Sequence, residues 1–393
     1  MHSVRRETDM IEKWPGLDSG EAAFIEALQR FCGDYIAPKA AAVDEQATFV
    51  REQLQGLASL GVLGANLPES CGGPGITAKA LLAIVETVAG ACGSTVSALT
   101  AHYLATDSIL LGGTEAQRAT WLPRAAAGET LGAFALTEPT AGSDPADMKT
   151  RATREGDGWR LTGSKCFISN GGEADFIIVY AVTNPQAGHR GMSAFILPRG
   201  TPGFSAGKPE RTMGLKGGHV FPLAFDCLLP ADSLLGSEGQ GFKTAMRVLD
   251  NGRIEVAAMC LGIAQAAFDA ATAYAAERVI GGEPLSARQG IRWQFADMAL
   301  DLARSRALAV EAARQRQEAH ATGARFSLAA AMAKLACSEM AGRVTDTALQ
   351  VFGGYGYTRD LPLERFARDV RIMRIYEGSS EIQRNIIAGH LFK

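Results

Sequence analysis

The spacing of hydrophobic residues divides the chain into three zones, which are helical at both ends and strand-like in the middle. Between about residues 21 and 128, apolar side chains recur at helical spacing, and Phe24, Leu28 and Phe31 fall on one face. From about 131 to 236, short apolar runs such as FIIVY at 176–180 alternate with turn-rich segments, a pattern typical of β-strands. Long Ala-rich segments suited to an antiparallel bundle then return, at residues 254–276, 291–320 and 328–349.

Composition describes a folded protein without a nucleic-acid or membrane signal. The chain has 393 residues, of which 47% are hydrophobic and 21% charged, enough for a sizeable core. Its net charge is −3 and no basic stripe is present, so we expect no nucleic-acid partner. We also expect no membrane insertion, since no apolar run reads as a spanning segment. The N-terminal residues 1–14 carry an Arg pair followed by acidic residues, which argues against a targeting segment and predicts a cytoplasmic location, or the mitochondrial matrix for a mature eukaryotic form.

Cysteine and histidine spacing gives no metal or disulfide signal. The seven cysteines are widely spaced and include no C-x-x-C pair, so we expect buried free thiols in a reducing compartment. The six histidines are scattered, and no metal site is predicted. We interpret His102 as a core or pocket-lining residue and His219 as a loop residue.

The segment RIYEGSSEIQR, at 374–384, places a carboxylate at a backbone elbow. Ser380 and Gln383 have the spacing of a capping box, so a helix is predicted to begin here. Glu377 stands just before that start and is followed by Gly378. Such a glutamate either faces a cleft or simply favours the helix dipole.

Two loops in the β zone offer polar groups to a ligand. The segment ALTEPTAGSD, at 135–144, combines hydroxyls with small residues that expose backbone N–H groups. The segment KCFISNGG, at 165–172, adds an aromatic and a hydroxyl before a turn. Each is also compatible with an ordinary β-turn loop, and Phe167 with a core position.

Together these segments resemble the acyl-CoA dehydrogenase family of flavoproteins. The resemblance runs from about residue 20 to the C-terminus. It continues through further motifs in the same order, namely MGLKGGH (213–219), EGQGF (238–242), LDNGRIEVAA (249–258), ERVIGGEPL (277–285) and QVFGGYGYTRD (350–360). It implies a mostly α fold with a central β domain: an N-terminal helical domain (1–130), a middle β-barrel or sandwich (131–238) and a C-terminal four-helix bundle (239–393).

The resemblance implies FAD as the cofactor. The isoalloxazine ring needs groups that hold its edge and leave one face open, and Phe167, where many relatives carry Trp, would pack on it. The residues implied around the ring are Phe134, Leu136, Thr137, Gly142, Ser143, Phe167, Ile168 and Ser169. Those implied elsewhere along the cofactor are Arg278, Gln289, Gln350, Val351, Gly353, Gly354, Ser379 and Glu381. Gly281 replaces the family's usual aromatic, which leaves the packing at the adenine end open.

The implied reaction is α,β-dehydrogenation of an acyl-CoA thioester. Glu377 would remove the α-proton while the β-hydrogen leaves as hydride to the flavin. The implied substrate contacts are Ser143, Asp250, Arg253 and Gly378. A subgroup places its base at the position of Gly252, which cannot act, and we expect the carboxylate of Glu255 to point away from the acyl group.

The resemblance also implies a homotetramer and an electron-transfer flavoprotein as electron acceptor. The motif style leans toward short or branched acyl groups. Two rival interpretations are a flavin monooxygenase or oxidase on the same fold and a non-catalytic helical binding module. Retention of both Glu377 and the Asp250–Arg253 pair favours the dehydrogenase over the first rival. An intact base, the hydroxyl pair and Arg278 argue against the second.

Overall fold

The computed structural model describes residue 14 and residues 16–392, so the predictions about the N-terminal targeting signal lie outside the described residues. The first zone is helical, as predicted. Leu28 is buried, and Phe24 and Phe31 pack against the same core. The helices of this zone are α1 (Ser19–Phe31), α2 (Ala40–Gln46), α3 (Arg51–Ser59), α4 (Ala78–Ala91), α5 (Gly93–Gly112) and α6 (Glu115–Ala126).

The middle zone forms one seven-stranded sheet, in which six strands follow the order β1-β4-β2-β3-β7-β6. The seventh strand, β5, lies off this path and pairs antiparallel with β4. Strand β1 runs parallel to β4, and β3 pairs antiparallel with β2 and β7. The strands are β1 (Gly132–Ala135), β2 (Arg151–Glu155), β3 (Gly158–Ser169), β4 (Phe176–Val182), β5 (Met192–Pro198), β6 (Phe204–Ala206) and β7 (Val220–Leu229).

An irregularity near the end of β3 re-aims one side chain. The register between β3 and β7 shifts between Lys165 and Ile168, as at a β-bulge. Phe167 takes a left-handed φ of 56° there. Its ring is 66% exposed, whereas Ile168 beside it is buried. The bulge therefore presents an aromatic face at the sheet surface.

The last zone is a helical bundle built around one long helix. Its helices are α7 (Gly241–Glu277), α8 (Gln289–Thr322), α9 (Ser327–Phe352), α10 (Leu363–Asp369) and α11 (Ser380–Leu391). A short hairpin of β8 (Val279–Ile280) and β9 (Glu283–Pro284) joins α7 to α8. This helix–sheet–helix order confirms the predicted fold class.

Helix α7 is the central element of the core. A Cβ added at Gly262 would lie 2.2 Å from the Glu86 carbonyl oxygen, so the glycine allows α4 to approach closely. By length and composition α7 alone, among the described residues, could cross a membrane, contrary to our expectation that no run was long enough. Its most apolar window is 61% buried inside the protein, as the central helix of a bundle would be.

The cysteines and the two singled-out histidines occupy structural positions. All seven thiols are free, and only Cys166 is not fully buried. His102 is a core residue whose Nδ1 accepts a hydrogen bond from the Gly132 N–H at 2.9 Å, and burial lowers its pKa to about 4. His219 bridges Glu173 and the Ala47 carbonyl. Within the described residues, no group of three His, Cys, Asp or Glu side chains could hold a metal ion.

Candidate active site

The elbow before α11 places Glu377 in an unusual backbone conformation. Glu377 has a φ of 51° and Gly378 a φ of 89°, both in the left-handed region. A non-glycine residue there is uncommon and marks a turn that the surroundings must hold in place. The predicted capping box is wrong in its register: the N-cap is Ser379, whose hydroxyl accepts a hydrogen bond from Ile382 N–H. Ser380 instead donates to Glu339.

Three side chains, one each from α7, α9 and α11, donate hydrogen bonds to the carbonyl groups of the elbow. Gln383 turns back from α11, and its Nε2 donates to the Glu377 and Gly378 oxygens at 3.1 and 2.9 Å. Lys334 Nζ, from α9, donates to the Gly378 oxygen at 2.7 Å. Arg253 Nε, from α7, donates to the Glu377 oxygen at 3.4 Å. The sequence indicated Arg253, but it contained no signal for Lys334.

The Glu377 carboxyl itself is left without a partner on one side. Its Oε2 is shielded from solvent and accepts no hydrogen bond from the described residues. Burial raises the pKa of Glu377 to about 7, against the opposing charges of Lys334 and Arg253. A carboxyl with a pKa near neutrality is well matched to general-base catalysis.

The opposite wall of this site is made by α7 and α5. A Cβ added at Gly252 would lie 2.2 Å from Glu377 Oε2 and 2.8 Å from Leu104 Cδ2. The glycine therefore clears the space that the carboxyl occupies. A side chain at position 252 and Glu377 would compete for one volume, which agrees with the interpretation that the two base positions are alternatives.

Asp250 and Arg253 form a pair beside the elbow. Arg253 Nη1 donates to Asp250 Oδ1 at 2.5 Å, and Ser327 donates to the other Asp250 oxygen at 2.5 Å. Burial raises the pKa of Asp250, against the charge of Arg253. The structure thus brings Asp250, Arg253, Glu377 and Gly378 together, as the resemblance implies.

A buried ion pair fixes the loop that follows β1. Lys165 Nζ donates to Glu138 Oε1 at 2.8 Å and to the Leu136 oxygen at 2.9 Å. Burial lowers the pKa of Lys165 to about 8, against the charge of Glu138. Glu138 also accepts from the backbone N–H groups of Lys149 and Thr150. Sequence reasoning missed this pair, although both residues lie in the two motifs that it singled out.

Around this fixed loop, the residues implied for the flavin ring present three kinds of surface. Gly142, Ser143 and Phe167 are exposed, and a Cβ at Gly142 would meet nothing within 4 Å. Phe134, Thr137 and Ser169 are half-buried. The side chains of Leu136 and Ile168 lie in the core, so these two residues can offer only backbone groups. An exposed aromatic beside hydroxyls and open backbone fits the edge of a planar cofactor.

A second candidate site, called the second cavity below, is a cavity of about 610 Å³ near the C-terminal ends of α7 and α9. Arg278 lines it, and its guanidinium lies 6.0 Å from the centre of the Tyr355 ring. A Cβ would meet nothing within 4 Å at either Gly353 or Gly354, so both backbones are accessible. The predicted residues that line this cavity are Arg278, Gln350, Val351, Gly353 and Gly354.

Three further residues implied for the cofactor occupy other positions. Gln289, the first residue of α8, is not among the lining residues, whereas Gln294, one turn later, is and was missed. Ser379 caps α11 and Glu381 is exposed in its first turn. A hydrogen bond with Ser379 lowers the pKa of Glu381. Gly281 sits in the β8–β9 hairpin with a φ of 65°, a turn conformation that disfavours the family's usual aromatic.

The two sites lie far apart along one helix. Arg253, beside the elbow, and Arg278, at the second cavity, are separated by about 38 Å of α7 at 1.5 Å per residue. A ligand bound beside the elbow would have to be about as long as this distance to reach the second cavity of the same chain.

Comparison with known proteins agrees with this geometry. Models of the acyl-CoA dehydrogenase N-terminal, middle and C-terminal domains match residues 19–129, 133–227 and 239–392. Acryloyl-CoA reductase (NADH) of Anaerotignum propionicum is 42% identical, covering 100% of this chain and 96% of that protein.

Two solved structures share the fold over nearly the whole chain. Butyryl-CoA dehydrogenase of Megasphaera elsdenii has a TM-score of 0.92 and 40% identity, covering 96% of this chain and 99% of that one. A chain from work on the electron transferring flavoprotein of Acidaminococcus fermentans has a TM-score of 0.93 and 39% identity, covering 96% and 99%. The predicted family and cofactor are confirmed: the chain belongs to the acyl-CoA dehydrogenase family of FAD-dependent enzymes.

Proposed function

We propose that this chain oxidises a short-chain acyl-CoA to the trans-2-enoyl-CoA, with Glu377 as the base that removes the α-proton. The observation that carries the proposal is the Glu377 carboxyl. Its Oε2 is shielded from solvent and accepts no hydrogen bond from the described residues, and its backbone has a left-handed φ. Burial brings its pKa to about 7, so a large fraction of the carboxyl is ionised near neutral pH.

The hydrogen bonds at the elbow fix the backbone of Glu377 and Gly378 and leave Oε2 of the Glu377 carboxyl free to accept a proton. The hydrogen bonds that Lys334, Gln383 and Arg253 donate to Glu377 and Gly378 all go to carbonyl oxygens, so none of them competes with the proton that Oε2 is to receive. The Glu377 N–H would donate to the thioester oxygen as negative charge develops on it. Asp250 and Arg253 would orient the thioester end, and Ser143 and Gly378 would contact the acyl-CoA beside them.

The exposed surface around Phe167 fits the ring of FAD, which when bound supplies the hydride acceptor. Thr137 and Ser169 would hydrogen-bond the ring edge, and the residues from Phe134 to Ser143 would flank it. The Lys165–Glu138 pair would keep this loop in register without contacting the ring, since both side chains are buried. The remaining proposed contacts are Gly142, Ile168, Ser379 and Glu381 near the flavin end.

The second cavity would bind the far end of a cofactor that belongs to another subunit. Arg278, Gln350, Val351, Gly353 and Gly354 line it, and Gln289 would contact the cofactor from the start of α8, two residues before the lining residue Ile291. The flavin ring must meet the acyl group beside Glu377 and Arg253, and about 38 Å of helix separates Arg253 from this cavity, so sharing between chains explains why both sets of cofactor residues are present. We infer a homotetramer assembled as a dimer of dimers.

Electrons would leave the reduced protein to an electron-transfer flavoprotein. The support is the likeness to a chain solved in work on such a flavoprotein. We place the protein in the cytoplasm, as the composition of its N-terminal segment suggests.

A substrate panel tests the proposed reaction. The FAD-loaded protein is mixed without oxygen with butyryl-, isobutyryl-, octanoyl- and palmitoyl-CoA, and loss of flavin absorbance is followed. We expect butyryl-CoA to bleach the flavin fastest and to yield crotonyl-CoA. Bleaching by palmitoyl-CoA alone would contradict the short-chain proposal, and no bleaching by any of the four would contradict the dehydrogenase itself.

A further inference from the structure

Beyond Glu377, the two helices that wall the site present ionisable groups where a short hydrocarbon chain would need apolar ones. A Cβ added at Gly252 on α7 would meet both Glu377 Oε2 and Leu104 Cδ2 of α5, so these three residues adjoin one small volume. Residues three apart share a helix face, so the next turn presents Glu255 on α7 and Asp107 on α5. Both side chains are 1% exposed. Glu255 thus shares the Gly252 face of α7, which favours the opposite of the expectation that it points away from the acyl group.

Asp107 is fully satisfied by neighbouring amides. Asn66 Nδ2 donates to its Oδ1 at 2.7 Å, and Asn251 Nδ2 donates to its Oδ2 at 2.6 Å. Arg316 Nη2 is 3.9 Å from Oδ2. Since each carboxylate oxygen has a donor, Asp107 needs no further ligand.

Glu255 is the carboxyl whose oxygens lack hydrogen bonds within the described part of the chain. Neither of its oxygens accepts a hydrogen bond from the described residues, although the side chain is buried. Its nearest cation is Arg316, whose Nη1 stands 3.5 Å from Oε1. A buried carboxyl without hydrogen bonds costs free energy, so such groups in native proteins call for an explanation such as a ligand.

The charge state of Glu255 indicates which ligand chemistry suits it. Burial raises its pKa well above the ordinary value; the charges of Asp107 and Glu377 add to that shift, and Arg316 opposes it. A protonated carboxyl offers one O–H donor and a carbonyl acceptor. An alcohol has the matching acceptor and donor, whereas a methyl group leaves both unpaired.

We infer that Glu255 determines specificity by hydrogen-bonding a hydroxyl group at the far end of the acyl chain, so that the preferred substrates are short hydroxyacyl-CoA thioesters. This inference rests on the proposed function, because it places the α-carbon at Glu377 and lets the chain run past Gly252 toward Glu255. The reaction at the α- and β-carbons is unchanged, and the hydroxyl is bound without being transformed.

The test compares pairs of substrates equal in heavy-atom count that end in hydroxyl or methyl. The pairs are 4-hydroxybutyryl-CoA with pentanoyl-CoA, and 5-hydroxypentanoyl-CoA with hexanoyl-CoA. For wild-type protein we expect kcat/KM to favour the hydroxyl member of at least one pair about tenfold or more, because a site built for a hydroxyl rejects the analogue lacking it. Preference for the methyl member in both pairs would overturn the inference.

Two variants assign any preference to Glu255. Glu255→Leu should remove the hydroxyl preference or reverse it, and Glu255→Gln, which keeps a donor and an acceptor, should retain part of it. A hydroxyl-to-methyl ratio that stays at the wild-type value in both variants would also overturn the inference. If Glu255→Leu does not fold, the ratio in Glu255→Gln and in wild type still decides. Failure of the proposed function has a different signature, because wild-type protein would then not be bleached by butyryl-CoA at all.

Discussion

At the scale of single residues, the function depends on the Glu377 carboxyl, which has charged neighbours but whose Oε2 accepts no hydrogen bond from the described residues. Lys334 and Arg253 approach Glu377 closely enough to lower its pKa, yet the hydrogen bonds that they donate to Glu377 and Gly378 go to backbone oxygens. Burial outweighs both charges and brings the pKa to about 7. A base formed in this way can be ionised before substrate arrives and become stronger once the acyl group excludes water.

The first residue-scale prediction concerns pH. Glu377 accepts a proton only when ionised, so the second-order rate constant of flavin reduction at sub-saturating butyryl-CoA, which reports the free protein, should rise with pH through a midpoint near 7. Below that midpoint the rate should fall about tenfold per pH unit. Stopped-flow reduction between pH 5.5 and 9 measures this limb, and a rate independent of pH throughout that range would contradict the assignment.

At the scale of elements, the elbow precedes α11 and is hydrogen-bonded to side chains of α7 and α9. Lys334 on α9 and Gln383 on α11 meet at the Gly378 oxygen. The left-handed φ values of Glu377 and Gly378 persist because these donors hold the turn. The geometry of the base is therefore set by residues that do not touch substrate.

Replacing Lys334 tests this joint. Burial holds the pKa of Lys334 at about 8, so it is largely charged at pH 7, and its charge lowers the pKa of Glu377. In Lys334→Met we expect the midpoint of the flavin-reduction limb to move above the wild-type value, with a slower rate at pH 7. Lys334→Arg keeps the charge and should shift the midpoint less. An unmoved midpoint in Lys334→Met would show that the lysine does not act on the base.

Element-level prediction succeeded where local pattern decides structure and failed where distant contacts decide it. Periodicity located α8 and α9 closely, but α7 begins at Gly241, well before the predicted 254, because tertiary packing carries the helix through Gly252. The helix start near Ser380 was right to one residue. Gln383 was expected to complete the cap, whereas it turns to the elbow carbonyls.

At the scale of the whole molecule, site residues that lie in sequence motifs could be predicted, whereas those defined by packing between separate helices could not. Family resemblance grouped Asp250, Arg253 and Glu377 correctly because the first two lie in one recognisable motif and Glu377 lies in another. Lys334, Asp107 and Glu255 were missed or misplaced since their roles depend on packing between separate helices. No local signal marks such a residue, and only the fold shows that Glu255 is buried beside Arg316 without a hydrogen bond from the described residues.

The second cavity gives a whole-molecule prediction. Arg278 would form a charged hydrogen bond with the far end of FAD, worth about 1.5–3 kcal/mol. Arg278→Ala should therefore weaken FAD binding about tenfold to a hundredfold, measured by the flavin released on dilution of the tetramer. Arg314→Ala removes an exposed arginine of α8 and serves as the matched control. Equal FAD retention in the two variants would contradict a cofactor contact at Arg278.

The measurement that tests the central claim most directly is single-turnover flavin reduction by butyryl-CoA in Glu377→Gln. Glutamine keeps the size of the side chain but cannot take a proton, so the rate should fall by about 100-fold to 10,000-fold or more. Folding should not suffer: the raised pKa means that ionisation of Glu377 costs stability as pH rises from about 4.5 to 7, and the variant avoids that cost.

Two controls separate a chemical defect from a binding defect. Crotonyl-CoA should still shift the flavin spectrum of Glu377→Gln, because Arg253 and Asp250 remain. Glu318→Gln, which alters an exposed carboxylate of α8, should reduce at the wild-type rate. The proposal predicts a flavin in Glu377→Gln that binds product analogue and is not reduced on the wild-type timescale. Reduction within a few-fold of the wild-type rate would show that the base lies elsewhere.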